Sequence, residues 1–154
     1  QNWQYDAYFM KRLNNYCGQW IRHCGWYPDA KIRLFDKRQA QWGVAEVHEK
    51  IVLATGAKQG KLEGDLLHYS YNSIQDHVHR INDYSGKIAD AAFQRGKRTS
   101  VLKIMFSPIF NFLKKYILKL GFLDGYYGFV ICVLSAYYNF LKYVKLRELQ
   151  KFKR

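Results

Sequence analysis

The sequence is poor in cysteine and carries no recognisable leader. Its three cysteines, Cys17, Cys24 and Cys132, are an odd number without metal-ligand spacing, which argues against a disulfide scaffold and fits a reducing compartment. Cys17 and Cys24 could pair, but nothing in the sequence requires it. The 154-residue chain begins at Gln1 and nothing there resembles a signal peptide, so we expect it to be part of a longer protein.

Acidic residues are nearly absent from the last third of the chain. Residues 97–154 contain 12 Lys and Arg against 2 Asp and Glu, so this segment holds +10 of the formal net charge of +13. Such an uneven distribution predicts contact with an anionic surface, either phospholipid or nucleic acid. The segment is rich in aromatic and aliphatic residues and has no nucleic-acid-binding motif, so we predict an anionic membrane surface and no nucleic acid as partner.

Period-two patterns predict short strands in the first part of the chain. Segment 31–35 alternates charged and apolar residues, and 36–39 has the composition of a hairpin turn into a strand at 41–47. Segment 17–24 indicates a turn that leads to a short strand, and segment 61–71 predicts a further strand. The spacing of Tyr5, Tyr8, Phe9 and Leu13 instead indicates a short helix near the N-terminus.

Helix signals follow from residue 73 onward. Ser73 and Asp76 resemble a capping box that opens a helix over 73–95, and Gly96 lies where a helix C-terminus favours a residue with positive φ. Ser107-Pro108 predicts the start of a second helix, with Lys114, Lys115 and Lys119 on its polar side, and Asp124 predicts the cap of a last helix.

The last helix contains a long uncharged stretch that is still too short to cross a bilayer. Tyr126–Leu141 is 16 residues without charge, whereas a spanning helix needs about 20 apolar residues. We therefore predict a basic amphipathic helical hairpin that lies in the plane of the membrane or inserts partly. The alternative is a soluble helical hairpin buried against another domain.

Candidate polar residues lie at the ends of two predicted strands. His48 and Glu49 close the first, and His68 lies near the end of the second. Strand ends are a common support for binding and catalytic side chains, but surface polar residues and a core histidine would give the same pattern. His77 and His79 are two apart on a predicted helix and therefore make a poor metal pair.

Several segments together resemble a known family of enzymes. The sequence resembles the C-terminal half of bacterial family 2 glycosyltransferases, of the lipopolysaccharide core-biosynthesis glucosyltransferase type. The segments that carry the resemblance are Trp20–Asp29 (WIRHCGWYPD), Arg33–Phe35 (RLF), Val47–Glu49 (VHE), Leu67–Tyr71 (LHYSY), Gly121–Gly125 (GFLDG) and Gly128-Phe129.

The resemblance implies an α/β fold, namely the C-terminal part of a GT-A nucleotide-sugar transferase. Residues 1–96 would form the acceptor-side part of the catalytic domain, and residues 97–154 the membrane-associating hairpin. It also implies an inverting transfer from a nucleotide-sugar donor to a lipid-linked or lipopolysaccharide-core acceptor. A divalent metal, Mg or Mn, would assist at the cytoplasmic face of the bacterial inner membrane, with the protein peripheral or monotopic.

The resemblance also implies roles for individual residues. Glu49 occupies the position of the general base, with a surface salt bridge as the alternative. His48, His68 and Arg33 are candidates for contact with the donor or its diphosphate, and His68 is also the candidate metal ligand. The acceptor-side candidates in the loop that precedes residue 30 are Trp26, Tyr27 and Asp29.

One element of the family is missing from these residues. The family uses an Asp-x-Asp motif in a nucleotide-binding first half, and this sequence has neither that motif nor a glycine-rich phosphate loop. We therefore expect the chain to be inactive alone. The alternative function is a non-catalytic membrane-associated adaptor domain, in which Glu49 and His68 are structural.

Overall fold

The computed structural model describes residues 3–43 and 51–152. Within them lie six strands and three helices, and the second and third helices are joined by a π-helical turn, Lys114–Leu118, and a 3-10 turn, Gly121–Asp124. The strands are β1 Ala7–Tyr16, β2 Gln19–Ile21, β3 Asp29–Phe35, β4 Ala40–Trp42, β5 Ile51–Leu53 and β6 Gln59–Tyr71; the helices are α1 Ile74–Gln94, α2 Val101–Leu113 and α3 Gly125–Phe152.

Strand β1 is the centre of the main sheet. The long strand β6 runs parallel to it along one edge, while β2 and β3 pair antiparallel with successive parts of the other edge. The prediction of a helix near the N-terminus is therefore wrong, because residues 7–16 form this central strand. Aromatic residues favour a strand that is paired on both sides, and that tertiary pairing outweighs the helix-like spacing.

The segment 36–39 is a turn, but it does not make the predicted hairpin. Strand β4 pairs with β5 in a separate two-stranded ribbon and not with β3. Of the predicted strand at 41–47, only residues 41–43 lie within the described part of the chain, and the first two of them belong to β4.

The start of α1 is confirmed, whereas the predicted start of α2 is wrong. Ser73 accepts a hydrogen bond from the Asp76 amide at 3.0 Å, and Gly96 has a φ of 69°. Helix α2 starts before the Ser-Pro pair, because Ser100 caps it by accepting from the Lys103 amide. Pro108 lies inside the helix.

The sheet and the last helix share one core, which spans the predicted boundary at residue 96. Tyr16, Ile21 and Cys24 from the sheet side pack against Ile131 and Cys132 of α3, and all five are fully buried. The thiols of Cys24 and Cys132 lie 3.7 Å apart, and all three cysteines, Cys17 included, are free.

Asp124 joins the two sides of this core. It directly precedes α3, as predicted, but its buried carboxylate accepts from the Arg22 amide at 3.2 Å and from the His23 amide at 2.7 Å. The His23 ring nitrogen lies 2.9 Å from the same group. The carboxylate that was predicted to cap α3 therefore attaches the loop after β2 to the start of α3.

Candidate functional site

The candidate site lies where the two parallel strands end. Ligands in sheets with parallel strands bind outside the carboxyl ends of those strands, and β1 and β6 end together at Tyr16 and Tyr71. Aromatic rings gather here: Tyr16 meets Trp26 edge to face at 5.7 Å, and Tyr71 lies 4.2 Å from the His77 ring. This end of the sheet joins a polar network on the strands to a cleft between the helices.

Asn14 organises the polar network. Its Nδ2 donates to the Trp26 carbonyl at 3.1 Å, which fixes the orientation of the amide. Its Oδ1 therefore faces Nδ1 of His68 at 3.0 Å and accepts from the Ser70 hydroxyl at 2.9 Å. Because an amide oxygen only accepts, Nδ1 of His68 must carry the proton.

In this tautomer Nε2 of His68 carries no proton, so its lone pair is free. Ser70 Oγ, 2.8 Å from Nδ1, takes part in the same triangle. Burial lowers the pKa of His68, and the nearby Arg12 and Arg33 lower it further. Neutral imidazole with a free Nε2 is the form that binds a metal ion or accepts a proton.

Asp29 and Arg33 lie near this network but are not paired with one another. Burial would raise the pKa of Asp29, but hydrogen bonds from Lys31 and Arg12 outweigh it and the pKa is lowered. Arg12 Nε donates to Asp29 at 2.9 Å and Lys31 Nζ lies at 3.2 Å. Arg33 is exposed and, among the described residues, makes no ion pair, so its charge is available to a ligand.

The two aromatic candidates of the acceptor loop go to different places. Trp26 packs beside Tyr16 and faces the cleft between the helices. The Tyr27 hydroxyl donates to Asp65 at 3.0 Å. The register is continuous from Asp65 to His68, so these two residues lie on opposite faces of the sheet. The structure thus brings Trp26, Asp29 and His68 to one face, and it places Tyr27 apart from them.

The remaining candidates, His48 and Glu49, lie outside the described residues. In segments 3–43 and 51–152 no three His, Cys, Asp or Glu side chains converge on a common point. His68 fits as a single imidazole ligand, which suits Mn better than Mg, and the other ligands would have to come from elsewhere.

A cleft of about 370 Å³ opens between the three helices beside this network; we call it the aromatic cleft. Its walls are rings from the loop before β3, the end of β6, α1 and α3, namely Trp26, Tyr71, Tyr84 and Tyr138. Its polar groups come mainly from α2, the π-helical turn and α3, namely Asn111, Lys115, Ser135 and Asn139, with Arg80 of α1. Sequence reasoning missed this cleft.

One residue of the cleft, Lys115, differs from its predicted setting, whereas the buried His77 and the exposed His79 lie on different faces of α1, as predicted. Lys115 was predicted on the polar side of a helix, but it is partly buried, and its Nζ donates to Ser135 Oγ at 3.1 Å. His77 is buried, and its Nδ1 lies within hydrogen-bond distance of the Tyr16 hydroxyl, at 2.9 Å. Burial, with a smaller effect of Lys115, lowers the pKa of His77 to about 4. No local signal in the sequence distinguishes Lys115, which is partly buried, from its neighbour Lys114, which is exposed.

A large apolar surface covers the other side of the helices. No residue of α2 is buried, and α2 and α3 each expose a strip of apolar residues at helical spacing. We call the two strips together the apolar strips: Leu102, Phe106, Ile109 and Leu113 on α2 with Ile117 in the π-helical turn that follows it, and Tyr126, Phe129, Val133, Tyr137 and Phe140 on α3. Exposed apolar surface on this scale marks an interaction site.

Among the described residues, one helical stretch has the length and composition of a membrane span. It is Gly121–Phe152, and 17% of its most apolar window is buried in the protein. However, α3 packs along α1, where Lys145 Nζ contacts the Asn82 carbonyl at 2.6 Å. A crossing orientation would carry the charged helix α1 into the hydrocarbon, so this packing disfavours a membrane-spanning orientation of α3.

The chain is similar to proteins named glycosyltransferases. It is 31% identical over 153 residues to an uncharacterized glycosyltransferase of Rickettsia typhi and 30% identical over 153 residues to one of Rickettsia prowazekii. Each match covers 95% of this chain and 52% of the relative. The lipopolysaccharide core biosynthesis glycosyltransferase LpsC of Rhizobium meliloti is 29% identical over 118 residues, 76% of this chain and 43% of that protein.

The chain spans about half the length of the curated relatives it matches. No family model and no solved structure matches it. Together the similarities support a relationship to the glycosyltransferases, in which this chain corresponds to a segment about half their length.

Proposed function

We propose that this chain is the acceptor-side, membrane-docking half of an inverting family 2 glycosyltransferase with a GT-A fold. The complete enzyme would transfer a sugar from a nucleotide-sugar donor to a lipid-linked or lipopolysaccharide-core acceptor. The names of the relatives support sugar transfer, and LpsC is named for lipopolysaccharide core synthesis. The proposal places the protein at the cytoplasmic face of the bacterial inner membrane.

The observation that carries this proposal is the Asn14–His68 network at the ends of the parallel strands. It holds a neutral histidine with its Nε2 lone pair free, beside Arg33, whose charge is available. An Nε2 lone pair suits a divalent metal and not a bare phosphate oxygen, so His68 would hold the metal that accompanies the donor diphosphate, and the Arg33 cation would contact the diphosphate itself. A divalent metal, when bound, would supply positive charge to the departing diphosphate.

The proposed chemistry is a single displacement. The Glu49 carboxylate accepts the proton of the acceptor hydroxyl as the acceptor oxygen attacks the anomeric carbon. The bond from that carbon to the nucleotide diphosphate breaks, and its electron pair leaves with the diphosphate, so the configuration inverts. His48 would orient the carboxylate or contact the donor.

The apolar strips support the membrane part of the proposal. Helices that expose apolar strips and carry flanking lysines bind in the interface of an anionic bilayer. Docking would keep the site near a membrane-held acceptor and so raise its effective concentration.

The substitution Glu49→Gln in the full-length enzyme tests the proposal. Loss of the base should lower kcat by about 10²–10⁴-fold, while folding and liposome binding stay unchanged. Glu46→Gln, three residues earlier, is the matched control and should keep its activity. Unchanged turnover in Glu49→Gln would instead support the non-catalytic membrane adaptor, which the size of the apolar strips also permits.

A second measurement concerns the chain alone. Because it lacks an Asp-x-Asp motif, we expect neither turnover nor tight donor binding from these 154 residues. Micromolar binding of a nucleotide sugar in a calorimetric titration would contradict this expectation.

A further inference from the structure

The aromatic cleft has the composition of a saccharide-binding site. Trp26, Tyr71, Tyr84 and Tyr138 line it with flat rings, which match the apolar faces of sugar rings. Its volume of about 370 Å³ lies within the range of about 300–1,000 Å³ that is common for small-molecule sites. The side chains between the rings are mostly amides, a hydroxyl and cations, which are suited to hydrogen bonding with sugar hydroxyls.

The cleft holds a cation that no carboxylate neutralises. Within the described residues no Asp or Glu oxygen lies within ion-pair distance of Lys115 Nζ. Its one hydrogen-bond partner in those residues is the Ser135 hydroxyl. A partly buried ammonium without a counter-ion is costly, and an anionic ligand group would complete its coordination. Arg80, at the same cleft, adds a second positive charge.

Local backbone geometry also distinguishes this position. Lys115 lies in the π-helical turn Lys114–Leu118, and such turns occur frequently at functional sites. One turn earlier, the buried Oδ1 of Asn111 accepts no hydrogen bond from the described residues.

The cleft adjoins the Asn14–His68 network through one residue. Trp26 belongs to both, because its carbonyl orients Asn14 and its ring lines the cleft. We propose that the aromatic cleft binds an acidic saccharide, a sugar that carries a carboxylate or a phosphate, as the acceptor. The anionic group lies on Lys115 and the sugar ring packs against the aromatic walls. This inference rests on the proposed function, since it names the acceptor class.

Calorimetric titration of the whole 154-residue chain tests the inference without turnover. The probes are methyl β-glucuronoside, glucose 6-phosphate, methyl β-glucoside and inorganic phosphate. We expect both acidic sugars to bind about 10- to 100-fold more tightly than the neutral glucoside, the range for a charge-assisted hydrogen bond. Equal affinity of acidic and neutral sugars would overturn the inference. Phosphate binding as tight as that of glucose 6-phosphate would also overturn it, and would indicate a site for a bare phosphate such as a lipid headgroup.

Variants locate the binding. Lys115→Met should remove the preference for acidic sugars and leave neutral-sugar affinity within about twofold. The matched control, Lys114→Met, removes an exposed charge of the same π-helical turn and should keep the preference. If Lys115→Met does not fold, Asn111→Asp provides an independent test, because a carboxylate near Lys115 should repel the acidic sugars. A preference that survives Asn111→Asp, or that is lost in Lys114→Met, would contradict the assignment.

The outcome is separable from that of the proposed function. Selective binding of acidic sugars by the chain, together with unchanged turnover in Glu49→Gln, would support the aromatic cleft as a saccharide site and refute the role of Glu49 as the base. Loss of turnover in Glu49→Gln, with no selectivity of the chain for acidic sugars, would support Glu49 as the base and refute the acidic-saccharide site.

Discussion

The protonation state of His68 provides a direct experimental check on the site. The bond from Asn14 Nδ2 to the Trp26 carbonyl fixes which end of the amide faces the ring. We therefore expect the neutral ring to carry its proton on Nδ1, and its pKa to lie below the ordinary 6.5. Nitrogen-15 chemical shifts in a pH titration report both quantities. A proton on Nε2 at neutral pH would refute the reasoning.

The substitution Asn14→Asp should reverse the shift. It places a carboxylate oxygen about where Asn14 Oδ1 now lies, 3.0 Å from the ring nitrogen. An opposite charge at such a distance raises a histidine pKa by about 1–3 units, or about 1.4–4 kcal/mol. Because Arg12 is close and His68 is partly exposed, we expect the lower end of that range. The exposed His79 is the internal control, and an unchanged His68 pKa would show that the two side chains are not in contact.

Two further predictions concern acid stability and membrane binding. The pKa of His77 is lowered to about 4, so the unfolded state binds a proton below about pH 6.5 while the folded state resists it. The free energy of unfolding should therefore fall as the pH drops from about 6.5 to about 4, by about 3 kcal/mol in total; in His77→Gln, urea melts should show a smaller loss. Phe106→Glu, on an apolar strip, should weaken binding to anionic liposomes, whereas Val78→Glu, an exposed apolar position on α1, should not. Liposome binding that ignores salt and lipid charge would contradict the electrostatic part of this prediction.

Features that depend on neighbouring residues could be predicted from the sequence. The start and end of α1 follow from Ser73 and Gly96, whose roles as cap and as positive-φ residue need only local geometry. Strand β3 follows from its alternating pattern in the same way. These signals operate within a few residues, so no tertiary information is needed to read them.

Features that depend on distant contacts could not be predicted. Strand β1 became a strand because it is paired on both edges, and its spacing alone indicated a helix. Asp124 binds amides about 100 residues earlier in the chain, which no local pattern encodes. Lys115 points into the cleft in the π-helical turn, whereas a regular amphipathic pattern placed it in solvent.

The attachment of Asp124 to the loop after β2 has a mechanical consequence. Since α3 and the sheet are packed through one core, a tilt of the helices on a bilayer would turn His68 and the aromatic cleft by the same angle. The enzyme would then act at a fixed height above the headgroups. Synthetic acceptors with spacers of graded length between lipid and sugar should show one best length; a flat response would indicate that the docked helices and the site move independently.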